Sequence, residues 1–205
     1  AVMPGFVAGF ACRTKKLPAA LQKILPERKD CDWTPLSLFI INPTMHKGEW
    51  VAHNLCSVNS LLAKEAQLYG LGFLSKAFGM WYANIEQCTG MTQWGGAALK
   101  LHSHYGHLEI IGAYAPVHSH AKTVTYRVKV DTNNWEQFFT KEPDLAFLEK
   151  FEPTEIEIDP RNENSMIDLQ YRIQKDEGPF YLSAGEIASK ALTDKLKIYR
   201  MKSNY

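Results

Sequence analysis

Short apolar stretches separated by turn residues recur along this chain and limit the folds that are open to it. The clearest is a predicted hairpin with arms at residues 97–104 and 107–115 and a turn at Tyr105-Gly106. Its first arm alternates Leu99 and Leu101 with polar residues, which is the pattern of a strand with one buried face. The glycine supplies the backbone freedom that a tight reversal needs. Such units favour an antiparallel sheet.

The rest of the chain follows the same pattern, with a few helical segments between the strands. Strands are predicted at residues 6–10, 36–41, 50–58, 81–87, 123–130, 154–158, 166–173 and 197–201. Helices are predicted at residues 18–25, 59–68, 135–151 and 183–196. Gly70 follows the second helix and is predicted to end it in a left-handed conformation. The fold class is therefore α+β, built around an antiparallel sheet or β-barrel.

Length and charge narrow the classes of protein. The 205 residues fit a single domain, residues 1–205. Lys and Arg number 23 against 22 for Asp and Glu, a net charge of +1, so no basic field for nucleic acid is expected. The longest apolar run, residues 38–41, is too short to span a membrane. The sequence leaves a homo-oligomer open.

The cysteines bear on the cellular compartment. Cys12, Cys31, Cys56 and Cys88 are dispersed and show no zinc-binding spacing. Nothing else indicates secretion, so reduced thiols in the cytoplasm are predicted. The chain begins at Ala1 without an initiator Met or a signal-peptide pattern, which leaves open that a short N-terminal segment precedes it.

Lys76 is the leading candidate for chemistry because its neighbours in residues 70–81 are almost all apolar or small. An ammonium group among Phe and Leu side chains loses hydration, so the pKa of Lys76 is predicted to fall. A neutral amine attacks carbonyl groups, the first step of Schiff-base catalysis. The alternative is a lysine whose stem packs on apolar neighbours while its head reaches water.

Four local patterns follow one another in order and carry a resemblance to a known family. They are Phe10-Ala11-Cys12-Arg13-Thr14 with the helix ending at Leu25-Pro26-Glu27, the strand at 35–42, the segment 55–70 that leads to the lysine, and Tyr105-Gly106-His107-Leu108-Glu109-Ile110. In order and spacing they resemble the acetoacetate decarboxylase-like superfamily, over residues 6–115.

The resemblance implies a fold, a reaction and a set of site residues. Family members fold as an antiparallel β-barrel or cone-like sheet flanked by a few helices. Their buried lysine forms a Schiff base with a small keto acid or a related apolar carboxylate, without a cofactor. The resemblance then implies a lyase, of decarboxylase or aldolase and dehydratase type, with Lys76 as the amine and Glu49 moving protons. The residues predicted to line the pocket are Phe73, Leu74, Phe78 and Trp81.

Departures from the family pattern support an alternative function. The family's paired-lysine motif corresponds here to Leu-Gly-Phe-Leu-Ser-Lys, with one lysine and no proline. The position of a family arginine falls near Val2 or Met3 and is apolar. The alternative is a non-catalytic small-ligand-binding protein on the same barrel.

A histidine cluster gives a second alternative, a metal-dependent enzyme. Gly96, His102, His104 and Glu109 satisfy the spacing G-x5-H-x-H-x4-E, in which two histidines on one strand face could grip a metal ion. The rest of that motif is absent, because Pro116 stands where a glycine is expected. If the segment is a strand, both histidines share the outward face with its lysine, so no native metal site is predicted.

Overall fold

The computed structural model describes residues 5–24, 31–118, 120–131 and 145–203. The chain divides into two compact units, Ala1–Ile85 and Glu86–Tyr205. Within the described ranges, no helix is long and apolar enough to cross a membrane. The prediction of one domain is not tested by this division and stays a prediction.

The first unit is built on three consecutive antiparallel strands. These are β1 (Phe6–Arg13), β2 (Trp33–Pro43) and β3 (Glu49–Ser57), with β1 and β3 each paired to β2. In β2, Phe39 and Ile41 are fully buried and share a face with Ser37, as the two-residue period of a strand requires. The strands predicted at 6–10, 36–41 and 50–58 are confirmed.

Helix α2 (Leu71–Tyr82) packs on β1 and β2, whereas α1 (Ala19–Ile24) is a short helix that buries Leu21. The close approach of α2 depends on Gly79. A Cβ atom there would lie 2.9 Å from Cδ1 of Phe39 and 3.2 Å from Cβ of Ala8. Any larger residue would push the helix away from the sheet.

The helix predicted at 59–68 is wrong. This stretch forms two short 3₁₀ helices, Val58–Leu61 and Lys64–Ala66. Asn59 holds the loop: its Oδ1 accepts from Leu68 N–H at 2.8 Å, and its Nδ2 donates to Leu68 C=O at 2.8 Å. Gly70 does take a left-handed conformation, with φ of 82°, but it precedes α2. The polar side chain of Asn59 thus favours a loop where propensity favoured a helix.

The second unit carries six strands. They are β4 (Gln87–Gln93), β5 (Leu108–Gly112), β6 (Thr123–Lys129), β7 (Phe151–Ile158), β8 (Phe180–Leu182) and β9 (Leu196–Met201). The strand order is β4-β6-β5-β8-β9-β7, and every neighbouring pair is antiparallel. The strands predicted at 123–130, 154–158 and 197–201 are confirmed.

Four helices belong to the second unit: α3 (Ala97–Ser103), α4 (Leu145–Lys150), α5 (Glu163–Gln174) and α6 (Ala184–Ser189). Helix α5 buries Met166 and Leu169 completely, and Gln170 ties it to the sheet by accepting from Ala113 N–H at 2.8 Å. Helix α6 covers only the start of the helix predicted at 183–196. Most of the helix predicted at 135–151 lies outside the described residues.

Three predicted strands in this part of the sequence are wrong. Residues 97–104 are mostly α3, so only the second arm of the predicted hairpin is a strand, β5. Residues 166–173 lie in α5, whose start is capped by Asn162 accepting from Asn164 N–H. Residues 81–87 are mostly the end of α2 and the loop before β4. In each case the apolar residues recur at helical spacing as well as at alternate positions.

The predicted β-barrel or cone is also wrong. Among the described residues of the first unit, β1 and β3 each pair with β2 and not with each other. Among the residues that the structure describes, no pairing joins β7 to β4. Each unit therefore has an open sheet flanked by helices, not a closed acetoacetate decarboxylase-like barrel.

Candidate functional site

Lys76 is buried in the first unit, as the apolar composition of its segment suggested. It lies on α2 with no exposed surface, and its Nζ is 6.0 Å from the centre of the Phe39 ring. Ser75, its neighbour in sequence, donates its one hydroxyl proton to Leu71 C=O at 2.8 Å. Ser37 is therefore the donor in the 2.6 Å hydrogen bond to Ser75 Oγ. The alternative of a head that reaches water is excluded for this lysine.

The residues predicted to line a pocket around Lys76 do not surround it. Leu74, Phe78 and Trp81 are 37%, 38% and 48% exposed, on the side of α2 away from the sheet, and Phe73 is half-buried. Phe78 and Trp81 contact each other, with ring centres 6.0 Å apart. Because side chains three and four positions apart share a helix face, Leu74, Phe78 and Trp81 form one group separated from Lys76, whereas Phe73, three positions before Lys76, shares its face.

Glu49 lies at the β2–β3 turn, where it accepts from the Thr44 hydroxyl at 3.1 Å. Phe39, the neighbour of Lys76, is five positions before Thr44 on β2. At about 3.3 Å per residue, the turn is roughly 16 Å along the strand from Phe39. This estimate places the turn that carries Glu49 far from the Phe39 ring beside Lys76, and a chemical role for either residue stays a prediction.

The three residues predicted as possible metal ligands, His102, His104 and Glu109, differ in their burial and contacts. His102 is buried on α3 with its ring 5.1 Å from that of Tyr126, whereas His104 is exposed at the end of the helix. Glu109 is on β5 and pairs with Arg127 at 3.4 Å. In the described part of the chain, no three His, Cys, Asp or Glu side chains are placed to hold a metal ion. The outward strand face assigned to His102 is wrong because the segment is helical.

A row of polar and aromatic side chains crosses the sheet of the second unit and forms the strongest candidate site. Directly opposite residues pair in the order Thr89 (β4), Arg127 (β6), Glu109 (β5), Tyr181 (β8), Tyr199 (β9) and Pro153 (β7). Directly paired residues in antiparallel strands lie on the same face. We call Arg127, Glu109, Tyr181 and Tyr199 the polar row.

The other face of the same strands is a core. It buries the residues on either side of the polar row: Val128, Tyr126, Leu108, Ile110, Phe180, Leu182 and Ile198. The Arg127 and Glu109 end of the polar row is partly accessible, with 35% and 24% of these side chains exposed, whereas Tyr199 is buried. That end is therefore open to a ligand while its backbone is held by a packed sheet.

The electrostatics of the polar row come from its own members. Burial raises the pKa of Tyr181 above its usual range, and the Glu109 carboxylate raises it further while Arg127 opposes that effect. Burial likewise raises the pKa of Tyr199 to about 12, helped by a hydrogen bond in which its hydroxyl donates to Glu186 at 2.9 Å. Both phenols are therefore protonated donors at neutral pH.

An aromatic cluster covers the Tyr199 end of the row. Phe147 on α4 stacks on His107 and Phe151 with ring centres 4.0 and 4.4 Å away, and it meets Tyr199 edge-on at 5.1 Å. Phe151 also contacts Tyr181 at 4.6 Å. These rings exclude water from one side of Tyr181 and leave the Glu109–Arg127 side accessible.

Sequence reasoning missed Arg127, Tyr181 and Tyr199. The strand pattern at 123–130 does place Arg127 opposite in parity to the buried Tyr126 and Val128. A strand of three residues, as in β8, gives no such signal for Tyr181. Only the pairing register shows that these side chains meet.

Comparisons with known proteins do not assign a family. No family model matches the chain, and no curated protein matches it. Among solved structures, IAA acetyltransferase from Bacillus cereus is 10% identical, with a TM-score of 0.36, and the match covers 62% of this chain and 100% of that one. The ribosomal-protein-S18-alanine N-acetyltransferase from Escherichia coli is 14% identical, with a TM-score of 0.36, over 62% of this chain and 95% of that one.

A third solved structure is a candidate streptothricin acetyltransferase from Bacillus anthracis in complex with acetyl coenzyme A. It is 12% identical, with a TM-score of 0.37, over 64% of this chain and 90% of that chain. At these scores the comparisons assign no activity to this chain.

The resemblance to acetoacetate decarboxylase-like proteins is wrong. The finding that overturns it is that the described sheet of each unit is open rather than closed into a barrel. The predictions that depended on it fall with it: the Schiff-base lyase, the ligand-binding protein on the same barrel and the keto-acid partner. The physical reason is that short strand and turn patterns such as residues 105–110 occur in many folds.

Proposed function

We propose that the chain is an enzyme that activates a primary amine at the polar row and transfers a group to it. The observation that carries the proposal is the position of Glu109, directly between the guanidinium of Arg127 and the phenol of Tyr181 on one sheet face. A carboxylate can accept a proton while a neighbouring phenol supplies one, which is the pairing that general acid–base catalysis needs.

Three members of the row, Glu109, Arg127 and Tyr181, have separate tasks. Glu109 binds the substrate ammonium group and takes one proton from it, which gives a neutral amine. Arg127 fixes the Glu109 carboxylate from one side through their 3.4 Å contact. The ammonium binds Glu109 from the accessible side of Tyr181, opposite the contact with Arg127, where the Tyr181 ring favours a cation.

The group donor in this proposal is a thioester. The amine nitrogen attacks the thioester carbonyl, the carbon–sulfur bond breaks, and the thiolate takes the proton of the Tyr181 hydroxyl. Tyr181 then recovers a proton from the Glu109 carboxyl group, and the second proton of the nitrogen leaves to water. The products are an amide, a thiol and one proton. The raised pKa of Tyr181 keeps its proton in place until the leaving group forms.

Calorimetric titration with a panel of primary amines tests binding, and release of free thiol from acetyl coenzyme A with the same amines tests transfer. Glu109→Gln should weaken amine binding and lower kcat/KM by about 10²- to 10⁴-fold, the usual contribution of a general base. Tyr181→Phe should lower kcat by a larger factor than it weakens amine binding. Failure of every amine to bind the unaltered protein would contradict the proposal.

Two exposed charges on the same sheet serve as controls. Glu157 on β7 and Lys129 on β6 are exposed and stand outside the row. Glu157→Gln and Lys129→Gln should leave binding and kcat/KM unchanged. If Glu157→Gln were as damaging as Glu109→Gln, the effect would be one of overall charge and not of the row.

The cytoplasm is the compartment we propose, on the sequence argument from dispersed cysteines. Cys31 and Cys56 are exposed, so they report on it directly. Thiol-specific labelling in freshly lysed cells should modify both. Protection of both until a reductant is added would contradict this placement.

A further inference from the structure

We infer that Glu186 is a positioning residue for the polar row: it fixes the segment that carries Tyr181. This inference rests on the proposed function for its catalytic consequence and on the contacts of α6 and β9 for its structural part. Glu186 lies on α6, and only 12% of its side chain is exposed.

Both oxygens of the Glu186 carboxylate are used. Oε1 accepts from Lys197 N–H on β9 at 3.0 Å and lies 2.7 Å from Nζ of Lys190 on its own helix. Oε2 accepts from the Tyr199 hydroxyl at 2.9 Å. A carboxylate held by a backbone amide, an ammonium and a phenol has one preferred placement, because each donor approaches from a different direction.

These contacts lock α6 to β9, and α6 is joined directly to β8. Ser183, the residue between β8 and α6, caps the helix by accepting from Glu186 N–H at 3.2 Å. Strand β8 has three residues, Phe180–Leu182, and meets β9 at the single pair Tyr181–Tyr199. On its other side β8 pairs with β5 at all three residues, so the β9 side of Tyr181 is the less constrained one and depends on α6 for its position.

His107 makes the same connection from the other side. Its Nδ1 accepts from Ala184 N–H, the first residue of α6, at 3.1 Å, and its ring stacks on Phe147. The start of α6 is therefore tied to β5 and its middle to β9. Glu186 differs from His107 because it touches Tyr199, a member of the row, so its loss reaches the row directly.

The test uses the full chain labelled with 3-fluorotyrosine, with the Tyr181 and Tyr199 resonances assigned from Tyr181→Phe and Tyr199→Phe. In Glu186→Gln, Tyr199 should ionise at a lower pH, because the carboxylate raises the pKa of this phenol, and the Tyr181 resonance should move as well. With acetyl coenzyme A and an amine, kcat should fall about 10- to 100-fold with little change in KM, as expected when a reacting group is displaced.

The matched control is Asp168→Asn. Asp168 forms an ion pair of the same i,i+4 type with Arg172 on α5, at 3.4 Å, and lies outside the row. It should move neither resonance. If Glu186→Gln shifts Tyr199 alone, Glu186 acts only on its own partner and the inference is overturned. Absence of turnover in the unaltered protein would reject the proposed function, while the fluorine resonances would still decide the positioning of Tyr181.

Discussion

At the scale of single residues, Gly70 shows how backbone conformation and packing can be separated. Its φ of 82° lies in the left-handed region, and a Cβ atom there would meet only Leu74 Cδ1, at 3.9 Å. Space is therefore available, and the glycine is required by its dihedral angle alone. At Lys76 packing is the constraint, because its side chain is fully buried.

Gly70→Val should lower the free energy of unfolding by roughly 1–3 kcal/mol, because a β-branched residue resists positive φ. Gly70→Asn is the matched variant, since Asn tolerates the left-handed region, and it should cost less. Urea denaturation of the two variants measures the difference. Equal stability of the valine variant and the unaltered chain would mean that Gly70 has ordinary dihedral angles.

At the scale of elements, two glycines in helices show where close packing outweighs helix propensity and where it does not. Gly79 in α2 faces Phe39 and Ala8 at distances that no Cβ atom tolerates without movement. Gly185 in α6 has only Ser183 Oγ nearby, at 3.8 Å from a built Cβ atom. Alanine has the higher helix propensity at both positions, by about 1 kcal/mol, so packing alone decides the difference between them.

Gly79→Ala should therefore destabilise the chain, because the Phe39 ring must move away from α2. Gly185→Ala should stabilise it by up to about 1 kcal/mol. Thermal melting of both variants against the unaltered chain checks the pair. Stabilisation by Gly79→Ala would show that α2 does not approach β2 as closely as described.

Elements also show what the sequence could predict and why. The strand at 123–130 was predictable because its alternation is local and one face is buried, and the strand at 36–41 because a short run of apolar residues is typical of a buried strand. The helix at 166–173 was missed because Met166 and Leu169 fit a helix as well as a strand; the Asn162 cap was the available signal. The polar row was beyond prediction, because Glu109 and Tyr181 meet through a register that depends on distant residues.

At the scale of the whole molecule, stability should depend on pH at both ends of the range. A backbone hydrogen bond and Arg172 lower the pKa of Glu155, and Arg161 lowers that of Asp159, so the folded state binds protons less tightly there than the unfolded state. That stability is present above the usual carboxyl range and is lost as the pH falls through the lowered values. The Glu155 side chain is 75% exposed, so its part of this acid effect should be small and weakened by salt, whereas the Asp159 side chain is only 20% exposed.

At alkaline pH, the stability should instead fall as the pH rises. Burial raises the pKa of Tyr126 well above 10.0, and that of Tyr199 rises to about 12. Between pH 10 and about 12 the unfolded state therefore loses phenol protons that the folded state keeps. The urea midpoint should fall as the pH rises through this window. Tyr199→Phe should make the fall less steep, whereas Tyr69→Phe, at a position 83% exposed, should not. A flat midpoint up to pH 12 would contradict the burial of these phenols.

The claim that Glu109 and Tyr181 act as one site is tested most directly by a double-mutant cycle on amine binding. Glu109→Ala, Tyr181→Phe and the double variant are titrated with the amine that the unaltered protein binds best. Because the two residues are paired across β5 and β8, their effects should be non-additive by roughly 0.5–3 kcal/mol, while Glu109→Ala with Glu157→Gln should be additive. Additive effects of Glu109 and Tyr181 would show that no single ligand meets both side chains, and would contradict the account.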